Sequence, residues 1–201
     1  MRRDPVPTLS AHDREDRMTK DVAGRAAGIR RRGIPRLSAE VWGAGGSIWA
    51  ADGKGHDPEA GTEVVDEPVP DAVGAVLGLE GGAPACVRRR RFLLDGKPVM
   101  LATSYLDAVL VAGTPIAEPD SGPGGIYARL AELGHGPARF REEVRSRMPS
   151  PEETDRLGLA AGTPVVLVRR TAFAADGRAV EVNDMVLDAS AYVLEYEFDA
   201  P

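Results

Sequence analysis

Cysteine is almost missing from this chain of 201 residues: Cys86 stands alone, so no internal disulfide can form. The three histidines are scattered, and with one cysteine they make a poor metal-ligand set, so neither a metal nor another cofactor is expected. No apolar run approaches the roughly 18 residues of a membrane span. The N-terminus is charged and has no apolar leader core. Together these absences point to a reducing cytoplasm and no membrane partner. Cationic excess is lacking too: the formal charge is −6, a poor balance for a free-standing nucleic-acid binder. Also absent are a nucleophile elbow, a Walker loop, a dinucleotide fingerprint and a zincin motif, so no enzyme activity is expected. What remains is 43% hydrophobic, enough for a core.

The positive signal is a repeat. Leu77-Gly78-Leu79, Gly82, Pro84, Arg89-Arg90, Asp95-Gly96, Val99 and Leu106-Asp107-Ala108 recur as Leu157-Gly158-Leu159, Gly162, Pro164, Arg169-Arg170, Asp176-Gly177, Val180 and Leu187-Asp188-Ala189. Pro84 and Pro164 differ by 80 positions, Asp95 and Asp176 by 81, so the second copy has one extra residue before its turn. Each copy reads as short helix, strand, tight turn, strand. Asp-Gly between apolar stretches is a hairpin signal, and tight hairpins disfavour a parallel βαβ arrangement. The expected fold class is α+β: an antiparallel sheet with helices packed on it, made of two pseudo-repeated helix–hairpin units. A site belongs where the two copies differ.

Residues 1–35 read as a weakly ordered N-terminal segment or linker, and residues 36–201 as one domain. Within the first, Thr19 to Arg32 could form a short helix ending in a solvated cluster, Arg30-Arg31-Arg32. Trp42 and Trp49 fall in a loop or edge strand, Gly53 to Gly61 in a polar loop, and Glu63 to Glu67 in a strand. Gly122-Pro123-Gly124-Gly125 leads into a helix over Ile126–Leu133 and could offer backbone N–H groups to an anion. Phe140 to Met148 alternates, and Glu142 falls on its apolar face. Ser150-Pro151-Glu152-Glu153 is a capping box opening a short helix. Tyr192 to Phe198 is a last strand.

Arg88 to Arg91 lie in one strand, so a pair must face the covered side of the sheet. A buried guanidinium needs a carboxylate, a phosphate or backbone oxygens. Glu142 and Glu181 are the candidate partners, either closing an internal Arg–Glu network or receiving a ligand. Glu181 replaces Met100 of the first copy, and Asn183 replaces Ala102. Ser104 of one hairpin and Glu181 of the other could meet a small molecule between them.

These stretches, from Arg90-Phe92 and Asp95-Gly96-Lys97-Pro98-Val99 through Thr103-Ser104-Tyr105-Leu106, then Ile126 to Leu130, Glu142 to Met148 and Thr163 to Glu181, resemble one family. It is the UTRA effector-binding domain of GntR-type transcriptional regulators, HutC subfamily. The resemblance runs over about residues 37 to 198. It implies a chorismate-lyase-like fold, a homodimer, and a small-molecule effector, anionic or hydroxylated, held in a cleft. It implies effector contacts from Arg88 and Arg90, Ser104 and Tyr105, Glu142 and Glu181. It implies DNA contact only through a winged helix-turn-helix reader, of which residues 1–35 show no pattern. Two other readings stay open: a ligand-free dimerisation module pairing with a full-length regulator, and a chorismate-lyase-like enzyme.

Overall fold

The computed structural model describes residues 29–33, 35–46, 48–49 and 58–200. In chain order it contains β1 (Ile29–Arg32), a 3-10 turn (Pro35–Leu37), α1 (Ala39–Gly43), β2 (Pro58–Pro68), α2 (Asp71–Leu77), β3 (Pro84–Leu94) and β4 (Lys97–Asp107). Then follow α3 (Ala108–Val111), a 3-10 turn (Pro115–Ala117), α4 (Gly125–Glu132), β5 (Arg139–Arg147), α5 (Pro151–Leu157), β6 (Val165–Phe173), β7 (Ala179–Asp188) and β8 (Tyr192–Glu195).

Both Asp-Gly pairs close hairpins. Asp95 and Gly96 have φ of 51° and 73°, the left-handed pair that a two-residue hairpin turn demands. Leu-Gly-Leu has an equally simple origin. Gly78 and Gly158 end α2 and α5 in the left-handed conformation, with φ of 71° and 59°, where a side chain would be strained. The Ser150 capping box is formed in full.

Six strands form one antiparallel sheet in the order β2-β3-β4-β7-β6-β5. The repeat is therefore larger than a helix and a hairpin, because each copy also includes the strand before its helix. A pseudo-dyad crosses the sheet at its centre. Thr103 pairs with Asp184, and 184 − 103 = 81, the offset of the repeat itself. Register shifts fall at matching places, Phe92/Leu93 and Ala172/Phe173.

Side chains alternate between the two faces. On one face α2 buries Val73 and Leu77 against Val87 and Val182, and α5 buries Leu157 against Leu101 and Val165. The other face carries α4 and α1 over part of its area, with Leu130, Tyr127 and Trp42 in the core beneath. Further along, Trp49 packs on Phe92 with ring centroids 4.6 Å apart. Ile29 and Tyr192 close that end.

Several expectations change here. Ile29–Arg32 is not helical but a strand, paired in parallel with β8 as a separate two-stranded sheet. Residues 19–28 lie outside the described residues. Arg31 is not solvated: inward alternation with Ile29 leaves it 1% exposed. Trp42 belongs to a one-turn helix, its Nε1 donating to the Leu37 carbonyl at 3.2 Å. β2 begins at Pro58, so part of the expected polar loop is sheet edge. The last strand stops at Glu195, and Tyr196 turns toward Glu142 instead.

Leu157 is fully buried where α5 meets β4 and β6. Leu157→Ala should cost about 3 kcal/mol, the ordinary toll of a core cavity. Urea unfolding would show a lower midpoint at unchanged slope.

Candidate functional site

A cavity of about 560 Å³ lies on the sheet face opposite α2 and α5. Strand period two decides its floor. Arg88, Arg90 and Phe92 of β3, Met100 and Ala102 of β4, Glu181, Asn183 and Met185 of β7, and Arg170 of β6 all point the same way. Gly122–Tyr127 at the start of α4 forms one wall, and Trp49 with Arg31 and Arg36 another.

Glu181 is fully buried in this floor. Its carboxylate accepts from the Ser104 hydroxyl at 2.5 Å and from the Tyr127 hydroxyl at 2.6 Å. Ser104 in turn accepts from Arg90 Nη2, so one hydroxyl relays between cation and carboxylate. Burial, then the neighbouring Glu181 charge, pushes the Tyr127 phenol above its ordinary pKa. It therefore stays protonated and remains a donor.

Arg88 serves a different purpose. Its guanidinium donates to the carbonyls of Ile116, Glu118 (2.5 Å) and Pro119 (3.0 Å). These bonds pin the loop that leads into α4. Gly124 pins it from the other side: at φ 77° it sits so close to the Trp42 carbonyl that a Cβ would lie 2.3 Å away. The N–H groups of Gly124 and Gly125 are consumed within the chain, by Gly45 O at 3.1 Å and Gly122 O at 3.0 Å. This loop therefore walls the cavity as a connecting loop, and those two amides are not free to cradle an anion.

A second cluster stands beside the cavity. Glu142 Oε1 accepts from Arg170 Nε and Nη2 at 2.9 and 2.8 Å, and from Arg31 Nη2 at 3.3 Å. Arg36 approaches the same oxygen at 3.6 Å, and the Tyr196 hydroxyl donates to Oε2 at 2.7 Å. Burial opposes ionisation of Glu142, but Arg170, Arg31 and the Tyr196 hydrogen bond outweigh it and hold the pKa down at about 2. Burial pulls Arg170 down, but its neighbours, the Tyr127 hydroxyl and the Glu142 carboxylate, more than compensate. Arg31 also reaches the Met185 sulfur at 3.2 Å, so β1 inserts a guanidinium between the sheet and its cover.

Of the expected contact residues, Arg88, Arg90, Ser104 and Glu181 converge on the cavity or its floor. Tyr105 does not. It follows Ser104 in an extended strand, so it must face the other side, where it packs with Val73, Val87 and Val182. Glu142 stands behind Arg170 and is satisfied by arginines, as an internal network requires. Tyr127, Asn183, Arg31 and Arg36 join the site without having been singled out as contacts. Arg170 carried a signal that could have found it, since it is the repeat counterpart of Arg90. Among the described residues no cluster of acidic, histidine or cysteine side chains could hold a metal. Among them, too, no helix is long and apolar enough to cross a membrane.

Comparison with known proteins agrees with this architecture. The UTRA domain profile matches residues 55–193. An HTH-type transcriptional regulator of Streptomyces coelicolor is 32% identical over 189 residues, which cover 90% of this chain and 70% of that protein. The HTH-type transcriptional repressor PhnF of Mycolicibacterium smegmatis is 29% identical over 111 residues, 55% of this chain and 45% of PhnF. The crystal structure of the PhnF effector domain superposes with a TM-score of 0.68 at 23% identity, covering 86% of this chain and all of that domain. The fold is thus that of the chorismate-lyase-like α+β effector domains. The chain belongs to the UTRA domain family, the effector-binding domains of GntR-family transcriptional regulators. The relatives it matches are regulators, and it spans 70% of one and 45% of the other.

The Glu142 cluster makes a prediction. A depressed carboxylate contributes stability above its unfolded value near 4.5, and that contribution is lost as pH falls toward 2. Glu142→Gln should lose about 3 kcal/mol at neutral pH, because it leaves buried arginines uncompensated. Its stability should also fall less steeply than wild type between those pH values, as urea titrations at several pH values would reveal.

Proposed function

We propose that the cavity receives a small organic anion, and that this chain is the sensing part of a transcriptional regulator. The observation that carries the reading is Arg90. It lines the cavity, and among the described residues its polar partner is a hydroxyl rather than a carboxylate. Among the described residues, five arginines line the cavity with two carboxylates, Asp120 and Glu181, and Glu142 stands behind them. An anionic group on a ligand would repay the desolvation of Arg90. Glu181 and Asn183 would hold hydroxyl or amine groups of the same molecule, with Met100, Met185 and Phe92 beside its apolar part.

In this reading occupancy resets the geometry of a homodimer in the cytoplasm, and DNA is met only by a separate reader; β1, which pairs with β8 and buries Arg31, belongs to the sensing domain rather than to a link. The ligand acts to the extent that it binds one arrangement better than the other. A ligand-free dimerisation module would have arginines satisfying both glutamates. Glu142 fits that picture, whereas Glu181 rests on two hydroxyls beside open space. The lyase-like reading has the fold in its favour, but fold likeness is a weak warrant for activity, and the relatives are regulators.

A thermal-shift screen of sugar phosphates, phosphonates and carboxylic acids at low ionic strength tests the proposal. A binder should raise the wild-type Tm. Arg90→Ala and Glu181→Gln should abolish that rise while their ligand-free forms still unfold cooperatively. Variants that respond as wild type does would refute the cavity assignment.

A further inference from the structure

The pseudo-dyad allows each residue of the cavity to be compared with its own counterpart. Thr62 of β2 and Glu142 of β5 are 80 positions apart, the offset of the repeat. Each stands on an outer strand directly opposite an arginine: Thr62 faces Arg90 and Glu142 faces Arg170. Those two arginines are counterparts as well, again 80 apart. The same structural position thus holds one arginine with a carboxylate across from it and one without.

The consequence is visible in the contacts. Arg170 is locked to Glu142 by two hydrogen bonds of 2.8 and 2.9 Å. Arg90 bonds the Ser104 hydroxyl and lies over the Phe92 ring, 5.6 Å from its centroid. Glu181 is one hydroxyl away and its charge reaches Arg90, but its hydrogen bonds come from Ser104 and Tyr127 rather than from the guanidinium. One residue further along, on the reverse face, both copies keep a carboxylate opposite an arginine: Glu63 faces Arg89, and Glu143 faces Arg169.

We propose that Thr62 is a specificity-determining residue of the cavity: by standing where the second copy has a glutamate, it leaves Arg90 open to an anionic group of the ligand. A phosphate, phosphonate or carboxylate would occupy beside Arg90 the place that Glu142 fills beside Arg170. Arg170, held to Glu142 by two hydrogen bonds, is a fixed part of the wall. This inference rests on the anion-sensing reading above and names the residue that sets its charge preference. Thr62 is only partly buried and lies on an edge strand, so a longer side chain can be accommodated there.

The test is a comparison of Thr62→Glu with Thr62→Gln, which have the same shape and differ in charge. Methylphosphonate, inorganic phosphate and acetate are titrated separately at low ionic strength, with binding read by calorimetry and by Tm. Thr62→Glu should weaken the binding of whichever anion the wild type accepts by about tenfold or more, while Thr62→Gln stays within about threefold of wild type. Should Thr62→Glu fail to fold, Thr62→Asp against Thr62→Asn provides the same comparison. Equal binding by the charged variant and wild type overturns the role of Thr62, and so does equal loss in Thr62→Gln. In both cases the anion site itself stands if Arg90→Ala abolishes binding. A wild type that binds none of the three anions overturns the anion-sensing reading and this inference with it.

Discussion

Everything in this domain depends on the pairing of β4 with β7. That single antiparallel contact, centred on Thr103 and Asp184, joins two copies of one folding unit into a continuous sheet. Its register also decides what lines the cavity. Because side chains alternate, one register brings Ser104, Asn183, Ala102 and Met185 to the cavity side together, and a slip of one residue would turn them all away. Two related hairpins thereby become two halves of one floor, and the polar differences between them collect beside a single space.

The second constraint is the cost of burying charge. Arginines enter the covered side of this sheet from both copies and from β1, and each has been answered differently. Arg88 is satisfied by three backbone carbonyls, which turns it into a pin for the loop ahead of α4. Arg170 and Arg31 share Glu142. Arg90 has the weakest answer, a hydroxyl that is itself donating to Glu181. On the reading proposed above, Arg88, Arg170 and Arg31 are structural cations, and Arg90 is the one whose compensation is left to a ligand. In this view the site is defined less by which residues are charged than by which charges the fold leaves unmatched.

The hairpins, the capped helices and the antiparallel class were legible in the sequence because each rests on local chemistry: Asp-Gly in left-handed turns, Gly78 and Gly158 at helix ends, Ser150 with Glu153 at a helix start. Ser104 and Glu181 were legible because they differ from their own repeat counterparts. Tyr105 was misplaced when a two-residue motif was carried over whole, although strand geometry admits only one of two neighbours to a face. Arg31 was hidden for another reason. Its burial comes from a parallel pairing between the two ends of the domain, and an arginine among arginines gives no local sign of it. The helix of Trp42 has five residues, too few for any periodicity to show.

The most direct measurement is a crystal structure of the chain with an organic anion selected for binding in solution. The account predicts anionic oxygens within hydrogen-bond distance of the Arg90 guanidinium, Thr62 beside them, and the Arg170–Glu142 pair undisturbed. An anion seated on Arg170 with Glu142 displaced, or bound outside this cavity altogether, would contradict it.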